Sequence, residues 1–89
     1  MDEDLLREVA ELSRRIAALP RLKPVERARS ARGLVDEGKR VLSAVGDAAV
    51  EELTRHVSYR EASGLLGVEP ATVNKAVTRH RRRASTQNQ

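Results

Sequence analysis

The chain contains no cysteine, no phenylalanine and no tryptophan, and Tyr59 is its single aromatic residue. Without cysteine there is neither a disulfide framework nor a thiolate metal site. Without aromatic rings, which supply much of the buried area in most cores, the interior has to be built from Leu, Val, Ile and Ala. At 89 residues the size is that of one small domain, or one domain with an extension, and such a chain buries a core with little to spare. Self-association is the natural remedy. No stretch approaches the roughly 18 consecutive apolar residues of a membrane span, and the acidic start MDEDLL has no basic leader region, so the expected location is the cytoplasm, with no membrane partner. The two histidines, His56 and His80, are distant and make no recognisable metal or nucleophile site. Composition therefore points away from an enzyme and calls for no cofactor and no metal.

What the chain has in quantity is charge, unevenly placed. The net charge is +4. Residues 1–52 hold ten Lys or Arg against eleven Asp or Glu, whereas residues 53–89 hold seven against two. A uniformly basic chain suggests indiscriminate coating of nucleic acid. This asymmetry suggests a basic reading head joined to a neutral assembly module.

The neutral part divides into two helical stretches, with residues 1–45 read as the assembly module. Leu5, Val9, Leu12, Ile16 and Leu19 recur at alternating steps of four and three, a seam of about two heptads. Pro20 ends that helix and Pro24 opens the next, and so short a connection predicts an antiparallel helical hairpin. From Val25 to Val45 one apolar row passes through Val35 and Leu42, and a second, Leu34, Val41 and Ala48, lies beside it. A band this wide can face two neighbours, so Leu5, Val9, Leu12, Ile16, Val35 and Leu42 are the expected interface of a homodimer. Gly33 and Gly38 cost helix propensity, and allow close backbone approach or mark bends. Near Gly46 two readings stay open: Asp47 caps a separate helix to His56, or one helix runs from Val25 to Arg55.

Residues 58–80, SYREASGLLGVEPATVNKAVTRH, carry the chemical signal. Ser58 and Glu61 have capping-box spacing and set a helix start near Tyr59. Ser63 is small where two helices would cross closely. Gly67 supplies the positive φ that closes the first helix, Val68 plugs the turn, and Pro70 suits the first position of the second helix. Ala62, Leu66, Val68, Val73 and Val77 are the expected core of this unit, with Ala76 between the last two. On the other face of the second helix, read as residues 70–82, lie short hydrogen-bonding groups and cations, the types that read base edges in a major groove. Thr72, Asn74, Lys75 and Arg79 are the expected base contacts. Ser58, Tyr59, Arg60, Thr78, Arg81, Arg82 and Arg83 are the expected phosphate contacts. The tail 84–89 is polar and expected to be disordered.

On Ser58, Tyr59, Glu61, Leu66, Gly67, Val68, Thr72 and Val73, this last third of the chain resembles the helix-turn-helix superfamily. It is most similar to the small tri-helical units of region 4 of bacterial sigma factors and of short actinobacterial-type regulators. Three positions depart from that pattern. Ser63 replaces the usual alanine, Leu65 is apolar where a polar residue is usual, and Glu69 replaces a Ser or Thr cap. The resemblance implies an all-α fold with a tri-helical helix-turn-helix head over residues 46–83, double-stranded DNA as partner, and a role in bacterial transcription regulation at the nucleoid. The expected function is thus a homodimeric, sequence-specific DNA-binding protein. Two alternatives stay beside it: a module docking RNA polymerase or another regulator through Leu65 and the apolar seam, and an architectural nucleoid protein.

Overall fold

The computed structural model describes residues 1–87. These form four α-helices, α1 (Glu3–Ala18), α2 (Pro24–Thr54), α3 (Tyr59–Leu66) and α4 (Pro70–Gln87), and a single 3₁₀ turn at Leu19–Arg21. No strand occurs among the described residues, so the fold is all-α. Two compact units emerge, Met1–Ser43 and Ala44–Gln89, with α2 contributing residues to both.

In the first unit α1 begins on an acidic cap. Asp2, in extended conformation, accepts a hydrogen bond from the Leu5 amide at 2.8 Å, and Glu3 and Asp4 sit at the positive end of the helix dipole. Pro20 then enforces the 3₁₀ turn, and Leu22, extended at φ −83° and ψ 152°, redirects the chain. Pro24 opens α2 behind Lys23, whose carbonyl accepts from the Arg27 amide at 2.8 Å. The Arg27 guanidinium donates to the Leu22 carbonyl at 2.8 Å and staples the connection. An ion pair of 2.9 Å between Glu8 and Arg40 requires α2 to fold back along α1, as the short connection predicts. Both partners are well exposed, so the pair reports the arrangement and adds little stability.

The buried apolar side chains of this unit are Leu5, Leu12, Leu34 and Val41. Within one chain the residues of the expected interface divide into covered and exposed ones. Leu5 and Leu12 are already covered within the single chain and Val9 is half-buried, whereas Ile16, Val35 and Leu42 are exposed, Leu42 at 66 %. On α2 the row through Leu34 and Val41 turns inward. Residues 34 and 35 point about 100° apart on a helix, so one row inward leaves the other outward. Gly33 and Gly38 make no close approach: a Cβ added at either meets nothing within 4 Å. α2 is one helix through Gly46, which settles the alternative left open there; Asp47 lies inside it and caps nothing.

In the second unit α2 is closed by the amides that follow it, Arg55, His56 and Val57, bonded to the carbonyls of Glu52 and Leu53. Ser58 caps α3, its Oγ accepting from the Glu61 amide at 3.1 Å. α3 ends in a left-handed Gly67 at φ 67° and ψ 33°, the one positive-φ residue described. The Gly67 amide reaches the Gly64 carbonyl and the Val68 amide the Ser63 carbonyl, the paired bonds of a Schellman turn. The interior is Ala44, Ala62, Val73, Ala76 and Val77, with Ser63 also buried and its hydroxyl donating to the Arg60 carbonyl at 2.8 Å. Leu66 and Val68, expected in this core, are exposed, because the chain reverses at Gly67 before any side chain covers them. Residues 84–87, expected to be disordered, continue α4, whose carbonyl ladder carries on past the arginine run; the Thr86 hydroxyl donates to the Arg82 carbonyl at 3.0 Å. Asn88 and Gln89 lie outside the described residues.

The two kinds of glycine give opposite expectations. Gly33→Ala, in helix and unobstructed, should raise stability by about 0.5–1 kcal/mol, and Gly67→Ala should lower it by about 1–2 kcal/mol. Urea unfolding of the two variants checks the signs.

Candidate nucleic-acid interface

α4 carries most of the candidate residues, and its turns sort them onto two faces. Val73, Ala76 and Val77 face the interior, with His80, Arg83 and Ala84 partly covered on the same side. At about 100° per residue the opposite side is the stripe Ala71, Asn74, Lys75, Thr78 and Arg82, all exposed. Asn74, Lys75 and Thr78 therefore come together as the sequence implies, joined by Arg82. Arg81 is exposed on the neighbouring flank. Thr72, although exposed, stands on the other flank, that of Arg79 and Arg83, rather than on the stripe.

Arg79 and Arg83 are engaged by a residue the sequence reading did not single out for this role. Asp47 of α2 is buried, its side chain 6 % exposed. Its carboxylate accepts from Nε and Nη2 of Arg79, both at 2.9 Å, and from Nη1 of Arg83 at 2.7 Å. The fork-shaped guanidinium of Arg79 matches a carboxylate edge to edge, which makes these bonds directional as well as charge-assisted. Arg79 is thus not a freely offered base reader: its donor edge is committed to Asp47. Arg83, expected to contact phosphate, shares that commitment. Both keep exposed surface, with side chains 48 % and 38 % accessible. The signal in the sequence was the matched spacing, since Arg79 and Arg83 are one turn apart on the same flank of α4 and Asp47 is an acid among alanines.

One turn along α2, Glu51 is bonded to Arg55 at 2.6 and 3.0 Å, and His80 of α4 lies 3.8 Å away. The Arg55 hydrogen bond holds the Glu51 carboxyl below the usual range, with His80 and Arg81 adding positive potential. The Arg79 hydrogen bond does the same for Asp47, aided by Arg83 and opposed by burial; Arg79 in turn is pushed up by its bond to Asp47. Among the described residues no buried side-chain polar atom lacks a partner.

At the start of α3, Ser58 and Arg60 are exposed and Tyr59 is half-buried. They share a helix N-terminus whose dipole favours an anion. The turn beyond the far end of α3 leaves Leu65 71 % exposed beside Leu66 and Val68. Among the described residues no group of three or more His, Cys, Asp or Glu side chains is placed to hold a metal ion, and no helix is long and apolar enough to cross a membrane. Comparison with known proteins yields no relative: no family model, curated protein or solved structure matches the chain.

Removing the carboxylate leaves two cations one turn apart without their shared partner. Asp47→Ala should cost about 1–3 kcal/mol, below the loss for a fully buried pair because both guanidinium groups retain water. The pH sign follows from the lowered Asp47 pKa. The stabilisation is complete above the unfolded value of about 3.9 and disappears as pH falls through the lower folded value. Denaturation midpoints measured from pH 6 downward should fall below about pH 4 more steeply in the native chain than in Asp47→Asn.

Proposed function

We propose that this chain binds duplex DNA with sequence preference, as a homodimeric transcription regulator whose α4 enters the major groove in a helix-turn-helix mode. The observation that carries this reading is the exposed stripe Asn74, Lys75, Thr78 and Arg82 on a helix with no acidic residue from Pro70 onward. Asn offers paired donor and acceptor atoms to adenine, Lys and Arg donate to guanine, and all are short or flexible enough to reach base edges. Arg81 and the start of α3 at Ser58, Tyr59 and Arg60 suit flanking phosphates. Thr72 stays in the contact set as a flank residue, and Arg79 and Arg83 move from free contacts to braced ones.

The proposal includes pairing of two chains, because a single α4 offers few base contacts. The interface would use Ile16, Val35 and Leu42, the members of the expected seam that the chain leaves exposed. The uncovered trio Leu65, Leu66 and Val68 favours a second reading, in which this unit docks a protein such as RNA polymerase and touches DNA secondarily.

Selection from a random duplex pool tests the primary reading, with a palindrome as the expected result. Equal recovery of all sequences would leave only the architectural role. On the selected duplex, Asn74→Ala and Lys75→Ala should each cost about 1–3 kcal/mol of affinity, with little change on unrelated sequence. The Arg81→Ala, Arg82→Ala double variant should weaken binding to all duplexes and reduce the salt slope by about two. Leu42→Glu should shift sedimentation from dimer to monomer while helicity by circular dichroism is retained.

A further inference from the structure

We infer that Asp47 is a positioning residue which holds Arg79 and Arg83 as a preformed phosphate clamp on the flank of α4. The inference rests on the DNA-binding reading above; it gives Asp47 a role that the reading leaves unassigned and makes Arg79 a phosphate contact beside Arg83.

The geometry divides each guanidinium into a used and an unused part. Arg79 gives Nε and Nη2 to the carboxylate and retains Nη1; Arg83 gives Nη1 and retains Nε and Nη2. The carboxylate is buried while both arginines remain partly open to solvent. One negative charge between two positive ones leaves the cluster at +1, so it still attracts an anion. Two cations at i and i+4 on a bare helix repel and spread over many rotamers. Fixed from below by Asp47, they lose that freedom on folding rather than on binding, and preorganisation of this kind lowers the cost of association. Their place on the flank, beside the outward stripe and not on it, suits the phosphate backbone at the groove edge better than a base in its floor.

Charge alone and positioning predict opposite signs for one substitution. Asp47→Asn removes a negative charge, so simple electrostatics has it bind DNA more tightly. Positioning has it bind about three- to tenfold more weakly, despite the added net charge. Binding is read by fluorescence anisotropy on a duplex of mixed sequence, since phosphate contacts are indifferent to sequence, at a temperature where circular dichroism shows both proteins folded. Arg79→Lys, which keeps the charge and loses the fork, should weaken binding similarly. The side-chain Nε–H resonance of Arg79 should be sharp and exchange-protected in the native protein and lose that protection in Asp47→Asn. Equal or tighter binding by folded Asp47→Asn overturns the clamp and leaves the DNA reading standing. Failure of the native protein to bind any duplex at low salt overturns both.

Discussion

A carboxylate removed from water must be met by donors arranged to replace its hydration, and Asp47 is met by two guanidinium groups from one helix. That demand organises the second unit. The apolar groups buried there are small, three alanines and two valines, and contact between small aliphatic groups is non-directional. Such a surface tolerates rotation of α4 about its own axis. Three directed hydrogen bonds from Arg79 and Arg83 do not, and with them fixed, Asn74, Lys75, Thr78 and Arg82 are placed outward.

The scarcity of aromatic residues has a second consequence in how size is distributed. The largest fully buried side chains are valines, Val41, Val73 and Val77, while Leu42, Leu65 and Leu66 stay outside. In the second unit the helices approach through Ala and Val and leave Leu65 and Leu66 at the rim, whereas the first unit buries Leu5, Leu12 and Leu34 and leaves Leu42 outside. The chain thus carries uncovered aliphatic surface on the outer row of α2 and at the α3–α4 turn, among other positions. Each is the kind of surface that a second polypeptide covers.

Much of the local architecture was legible because it depends on neighbours in sequence. The Ser58 cap, the left-handed Gly67, Pro20 and Pro24 bounding the connection, and Pro70 opening α4 each act within a few residues and follow from the conformational limits of those side chains. Burial was less legible. Periodicity identified two rows on α2 without indicating which turns inward, and Leu66 and Val68 fell on an apolar pattern at a place where nothing packs over them. The polar tail gave no helical pattern of its own, and the run to Gln87 is carried by continuity with α4.

By itself the sequence determined the helical class, the proline-bounded break between α1 and α2, the capped turn joining α3 to α4 and the confinement of net positive charge to one end. These are consequences of backbone preference and of charge order along the chain. Only the tertiary structure decided that Asp47 lies inside a helix as the partner of Arg79 and Arg83, 32 and 36 residues away. It also decided which of α4's polar residues face outward, because pairing across that distance depends on how helices approach, and one strand of sequence does not record the approach.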